Sequence, residues 1–406
     1  MRRYKRNNYL ALILIFLPLI SFSQTDEQYL AGNAYLVKGE YRKAAESLSL
    51  AISRNNSDEN LYIRRGQALL NDHDTEKAIA DFNEANLIHP NSANIWLARA
   101  YAMDGNEAEA IKFLREYLKS DFKLGEDSIK KDPAFKLLRG SSEWMALWEN
   151  DWYSDAEKSI ADARYYARGK QTDQAISVLD NALSKNPENT ALMAERGKIF
   201  MAGGNYAAAA GDFSSALGKD KLNPDLYAKR GLAMLKQEKY REAVNDYNRA
   251  LRTDPARFEL YLQRAQAYAG QLNWQQAIKD VQLYLKYFGN DQKALFQCGE
   301  YHYASGDNIN ALRYFNANLK EDPNNALYYK ARGKTYLNTP TKGYALNDLS
   351  MSLDLNPGDA ETWMYHGIAA IQTGDKTTGC SSLTRAFQLG SKEAVKYLID
   401  NGCKQQ

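Results

Sequence analysis

The sequence predicts an all-α solenoid of about ten helix–turn–helix repeats, and three observations carry that expectation. A pattern of small and aromatic residues recurs every thirty-four positions along the 406-residue chain. The composition suits short polar helices, with 25% charged residues, 44% hydrophobic residues and nine prolines. Helices of about twelve residues are marginal alone, so pairs of that length must stack on their neighbours. A stacked array also escapes the size limit of a single globular core, because each unit buries its apolar face only against the next.

The pattern is clearest in Leu226–Pro255, where Tyr227, Gly231, Tyr240, Ala243, Tyr247, Ala250 and Pro255 mark it. Gly231 and Ala243 are small where two antiparallel helices must approach. Tyr227 and Tyr247 fill the space beside them, and Pro255 stops the second helix. This resembles the tetratricopeptide repeat (TPR) family in its period and in its order of aromatic, small and proline positions. The resemblance implies a superhelical array and explains most of the 28 tyrosines.

Taken in order, the frame gives units at 25–58 (Gly32, Tyr35, Tyr41, Ala44, Ala51) and 59–92 (Tyr62, Gly66, Ala78, Phe82, Pro90). A third begins at 93 with Trp96, Ala100 and Gly105, and its first helix is expected to be two residues short before Ala110. The frame then fails. Residues 118–155 hold Asp132-Pro133-Ala134-Phe135 and Trp144-Met145-Ala146-Leu147-Trp148, similar to short helical inserts that follow repeats in other TPR proteins. Two short helices covering an open edge are expected there, with a ligand-facing aromatic patch (Phe135, Trp144, Trp148, Trp152) as the alternative. The frame resumes at 156–189, 190–223, 224–257, 258–291, 292–325 and 326–359. A tenth unit runs from 360 and ends in a closing helix near Lys392–Asn401. The expected domains are a signal at 1–23, three repeats at 24–117, the insert at 118–155 and seven repeats at 156–406.

Residues 1–23 are of another kind. Arg2, Arg3, Lys5 and Arg6 precede an apolar run at Leu10–Ile20, and Ser21-Phe22-Ser23 offers small residues to a signal peptidase. The apolar core is too short for an ordinary membrane span of roughly 20 residues. Cleavage is expected between Ser23 and Gln24, an ending that resembles exported Bacteroidetes proteins. No cysteine follows the run, which argues against a lipoprotein anchor; the alternative is an uncleaved N-terminal anchor. The location expected is periplasmic or secreted. After cleavage the chain carries 48 basic and 50 acidic residues, a net of −2 against +2 for the whole. No basic field is left to attract nucleic acid.

Comparing copies within the chain reveals a coupling. Arg65, Arg196, Arg230, Arg264 and Arg332 stand just before the small residue of the first helix, and the same repeats carry Asp81, Asp212, Asp246, Asp280 and Asp348 in the second. Each pair is expected to form an ion bridge, either within its repeat or across to the adjacent one. Arg99 in the short third repeat has no such aspartate.

No nucleotide, hydrolase or metalloprotease motif occurs. His73, His89, His302 and His366 are not at metal-ligand spacing, and the last two fall at core positions. The expectation is a protein without enzymatic activity, cofactor or metal. Cys298 reads as a small buried hydrophobe. The C-terminal string around Gly379-Cys380-Ser381 and Gly402-Cys403 resembles terminal repeats of other exported TPR proteins that carry two cysteines there. In an oxidising compartment this implies a Cys380–Cys403 disulfide, with two buried thiols as the alternative.

The TPR resemblance further implies that the first-helix face forms a groove for peptides or partner helices. In this frame the face includes Tyr29, Asn33, Arg64, Gln67, Tyr101, Lys198, Lys229, Gln266, Phe296, Glu300, Tyr303, Lys330, Lys334 and Tyr365. The mixture suits an amphipathic polypeptide. The carboxylate clamp of chaperone-binding TPRs is disfavoured: Lys330 and Lys334 lie one turn apart, but the accompanying Asn and basic residues are missing. The expected function is a protein–protein interaction scaffold of the cell envelope, binding a protein or peptide partner. An envelope accessory or sensor that binds a glycan or small ligand is the alternative. Peripheral membrane association and oligomeric state stay open.

Overall fold

The computed structural model describes residues 24–120 and 123–403, which are helical without a β-strand among them. The export segment expected at 1–23 lies outside these residues. Contacts divide the chain into two compact units, with the boundary between Asn150 and Asp151.

The first unit contains three helix pairs: α1 (Gln24–Val37) with α2 (Tyr41–Ile52), α3 (Glu59–Asn71) with α4 (Thr75–Ile88), and α5 (Asn94–Met103) with α6 (Glu107–Leu118). Helix α5 has 10 residues against 13 for α3, the shortening expected in the third repeat. The insert follows as α7 (Glu126–Lys130), a 3-10 turn at Pro133–Phe135 and α8 (Ser142–Leu147). Its aromatic residues are packed: Phe135 is fully buried, Trp144 is 5% exposed, and their ring centroids lie 5.7 Å apart. The ligand-facing alternative for this patch therefore lacks exposed rings at these two positions.

The second unit contains seven pairs: α9 (Asp155–Arg168) with α10 (Thr172–Lys185), α11 (Thr190–Ala202) with α12 (Tyr206–Lys219), α13 (Pro224–Lys236) with α14 (Tyr240–Thr253), α15 (Phe258–Gly270) with α16 (Trp274–Tyr287), α17 (Gln292–Ala304) with α18 (Asn308–Glu321), α19 (Ala326–Leu337) with α20 (Lys342–Leu355), and α21 (Ala360–Gln372) with α22 (Lys376–Gln388). A short α23 (Ala394–Asp400) closes it. Cys380 of α22 and Cys403 are joined in a disulfide, with Cα atoms 5.5 Å apart and a sequence separation of 23. A loop of that size stabilises by roughly 3 kcal/mol in the chain-entropy account. Cys298 is a buried thiol, pushed up to about 11 by burial.

Local chemistry sets the helix limits. Asp or Asn side chains cap many N-termini, among them Asp74 (accepting from Lys77 N) and Asn205 (accepting from Ala208 N). The turn inside a repeat uses one left-handed residue, which is Gly39, His73, Gly105, Lys170, Gly204, Glu238, Leu272, Gly306 or Gly374. In the ninth repeat that place is Pro340, whose ring forbids positive φ, and no left-handed residue occurs in that turn. The close approach falls where a small residue faces a large apolar side chain: a ring at Gly66, Gly197, Gly231 and Gly299, a leucine at Gly32, Gly333 and Gly367. A Cβ on Gly66 or Gly299 would lie 2.5 Å from Phe82 or Phe315, so alanine at either position would have to displace a buried ring.

All five Arg–Asp pairs form, and each lies within its own repeat. Arg65, Arg196, Arg230, Arg264 and Arg332 donate from Nε and Nη2 to both oxygens of Asp81, Asp212, Asp246, Asp280 and Asp348 at 2.6–2.9 Å. The remaining arm, Nη1, reaches back sixteen residues to the second helix of the preceding repeat. It meets Ser49, Asp180, Ser214, Asn248 or Asn316 at 2.5–3.2 Å. One guanidinium thus ties three helices, a use of its rigid fork that lysine could not reproduce. In the third repeat Arg99 donates instead to Asp132 of the insert at 2.8 Å. In the tenth, His366 takes the arginine's place, with Nδ1 2.9 Å from Ser382 Oγ and Nε2 3.2 Å from Ser350 Oγ, again sixteen residues to each side.

The Arg230–Asp246 side chains are 24% and 5% exposed, so loss of one partner leaves a buried charge. Asp246→Asn is expected to lower unfolding free energy by about 1–3 kcal/mol. Asp246→Lys, which sets a cation against Arg230, should lower it by about 3–5 kcal/mol. Denaturant titration of both variants checks this, and equal losses would count against the bridge as the cause.

Candidate partner-binding face

In the first unit, the candidate residues sit on first helices with unequal freedom. Arg64 and Gln67 are half-exposed. Tyr101 stacks on Phe113 at 5.6 Å between centroids. Tyr29 is half-buried. Asn33 must be corrected: it is 5% exposed, and its amide donates to the Tyr29 carbonyl at 2.8 Å. Its side chain is used inside its own helix and offers nothing to a partner.

In the second unit the first helices α9, α11, α13 and α15 share a charged row. Arg164 donates from two nitrogens to Glu195 at 2.8 Å each, and Lys198 donates to the same carboxylate at 2.6 Å. Glu195 is 6% exposed. Burial works against its ionisation, but the bonds from Arg164 and Lys198 hold it below the usual carboxylate range. Sequence comparison missed Glu195, since no other first helix of the frame repeats it; Lys229 stands thirty-four residues on. Arg257 pairs with Asp225 at 2.8 Å. Between these matched groups lies Lys229, half-buried, which has no hydrogen-bond or ion-pair partner among the described residues. Burial pushes its ammonium below the usual lysine value; Asp225 opposes that shift, while Lys198 and Arg257 add to it. Gln266 is exposed on α15.

Helices α17, α19 and α21 continue the face. Lys330 donates to Asp359 at 2.9 Å and to Glu361 at 2.8 Å, and Lys334 donates to Glu361 at 3.0 Å. Both lysines named from sequence as groove cations are therefore matched by carboxylates at the start of the next repeat. The Lys334 ammonium also lies 5.8 Å from the Tyr303 ring centroid and 4.8 Å from that of Tyr365. Phe296 is packing, with ring centroids 5.6 Å from Phe315 and 5.4 Å from Tyr328. Glu300 is half-buried and, among the described residues, has no hydrogen-bond or ion-pair partner. Burial pushes its carboxyl above the usual range, Lys334 and Lys330 oppose the shift, and Glu361 adds to it.

Away from this face, a cleft of about 860 Å³ beside the disulfide is lined by Trp363, Lys376, Arg385 and Cys403, among others. Among the described residues no cluster of His, Cys, Asp and Glu is placed to hold a metal ion, and no helix is long and apolar enough to cross a membrane. His73 and His89 are exposed, whereas His302 and His366 are buried.

The paired helices, their thirty-four-residue frame and the ring-on-glycine contacts agree with family comparison. A model described as tetratricopeptide repeat matches residues 29–93 and 160–224, and one described as TPR repeat matches 234–271. Residues 29–93, 160–224 and 234–271 thus match tetratricopeptide repeats. A similar solved structure is the C-terminal part of a TPR repeat-containing protein from Cytophaga hutchinsonii, 18% identical, with a TM-score of 0.50, covering 61% of this chain and 100% of its own. A tetratricopeptide repeat protein from Parabacteroides merdae is 21% identical, with a TM-score of 0.48, covering 62% of this chain and 99% of its own. YrrB, described as a TPR protein with an unusual peptide-binding site, is 22% identical, with a TM-score of 0.41, covering 48% of this chain and 96% of its own. No curated protein matches the chain.

Two unmatched, half-buried charges should weaken the free helical array. The Glu300 carboxyl is raised relative to the unfolded chain, so its contribution to stability is present at low pH and lost as pH rises through its folded value. Glu300→Gln is accordingly expected to raise the melting temperature at pH 7, with a gain that shrinks toward pH 4. Lys229→Met should also raise it at pH 7. Calorimetry at the two pH values checks both, and a fall at pH 7 would show that these charges have partners after all.

Proposed function

We propose that the chain is an exported, non-enzymatic scaffold that holds a segment of a partner protein on the first-helix face of residues 151–406. The observation that carries this reading is the row of first helices on which most charges are matched across repeats while Lys229, Glu300 and Gln266 keep binding capacity unspent. Tyr303 and Tyr365 add amphipathic surface beside them. A polypeptide segment offers the hydrogen-bonding and apolar groups such a face can use. In a crosslinking pull-down from envelope fractions, read by mass spectrometry, a protein partner should be recovered with the native chain. Its yield should drop at least about tenfold with the Gln266→Glu, Tyr303→Ala double variant, since truncating anchor residues at an interface centre typically costs that much. Recovery of no protein by a folded sample counts against the scaffold reading.

The second reading, an envelope accessory or sensor for a glycan or small ligand, is favoured by the cleft at Trp363 and the disulfide. Saturable quenching of tryptophan fluorescence by a sugar, abolished in Trp363→Phe, would select it.

Export rests on residues 1–23 and on the compartment a disulfide requires. The protein taken from periplasm or medium should have Gln24 at its N-terminus. After denaturation without reductant it should take up one equivalent of alkylating agent, at Cys298, and three after reduction. Intact mass reads both, and three equivalents without reductant would exclude the disulfide.

A further inference from the structure

Lys229 and Glu300 face the same row of first helices, two repeats apart, and neither can satisfy the other. Packed helices lie about 8–10 Å apart, so two steps along the row separate them by on the order of 20 Å, well beyond the screening length of about 8 Å at physiological salt. Nor can their neighbours help. Glu195 is bonded to Arg164 and Lys198, Asp225 to Arg257, and Glu361 to Lys330 and Lys334. At Lys229 the Lys198 and Arg257 cations act against Asp225, and at Glu300 the Glu361 carboxylate acts against Lys334 and Lys330, so neither charge is matched by a bonded partner. A half-buried charge without a bonded partner is unfavourable, and an arriving countercharge at each would relieve it.

Resting on the groove reading above, we infer that the face selects its occupant by a pair of opposite charges: an acidic side chain against Lys229 and a basic side chain against Glu300. An extended segment advances about 3.3 Å per residue, so the two lie about six residues apart. The occupant is thus an internal segment of a partner chain carrying separated opposite charges. The two contacts fix its register and direction, because a reversed segment sets like charges together.

The test uses the full chain and a degenerate library of twelve-residue peptides, blocked at both ends. Each peptide carries a fixed Asp and a fixed Lys four to nine residues apart, in both orders, and binding is read by fluorescence anisotropy. Peptides with one order and a spacing near six should bind best. Lys229→Glu should weaken those peptides at least about tenfold, and replacing the peptide's Asp by Lys should restore binding to that variant. Glu300→Lys should be rescued by the converse replacement, and a reversal rescued by its complementary peptide is by that fact folded. Peptides that bind the native chain but respond to neither reversal overturn the charge pair and leave the groove reading standing. Binding confined to a parallel set of the same peptides left unblocked at the C-terminus also overturns it, in favour of a terminal carboxylate. No binding by any peptide overturns both readings.

Discussion

The two-sided arginine is the constraint on which the array depends. Its Nε/Nη2 edge holds an aspartate sixteen residues ahead, and its Nη1 arm holds a polar atom sixteen residues behind. The first bond closes a repeat and the second binds it to its predecessor, so a single side chain specifies both packing inside the pair and stacking between pairs. The aspartate is buried and the arginine about a quarter exposed in most copies. A pair like this adds less net stability than an apolar substitute of equal volume could. What it adds is register, since a helix displaced by one residue would strand a buried carboxylate.

Where the frame breaks, the same demand is met by other means. The third repeat has Arg115 where the aspartate should be, sixteen residues after Arg99. Asp132 of the insert supplies the missing carboxylate, and its other oxygen caps the 3-10 turn by accepting from Ala134 N. The insert therefore belongs energetically to the repeat it follows. In the tenth repeat a ring replaces the guanidinium and two hydroxyls replace its acceptors. Burial lowers the pKa of His366, so the linkage works with a neutral ring and needs no carboxylate beside it.

How far the sequence could be read follows from these cases. The helix pairs and the five bridges were legible because identical residues recur at a fixed interval, and a periodic signal survives ignorance of the contacts. Asp132 and the His366 link were not, because each is a single solution with no second copy to compare. The face was legible only as a set of positions. Asn33 and Phe296 occupy first-helix positions in the frame yet turn out to serve their own helix and the core. Lys330 and Lys334 looked available because their partners, Asp359 and Glu361, come from the next repeat. Whether a long side chain is matched depends on reach between repeats, and that is a property of the stacked array.

The contrast between adjacent residues shows how one helix serves both purposes. Lys229 and Arg230 are neighbours in sequence, but successive residues on a helix point about 100° apart. Arg230 turns toward second helices and satisfies every arm it extends; Lys229 turns along the row of first helices and satisfies none. The first direction is closed by the fold itself. The second is left open, and a chain that fixes its register so firmly through Arg230 can tolerate the unfavourable charge at Lys229. The bridged side of the helix thus fixes its register, and the side bearing Lys229 takes no part in that bridge.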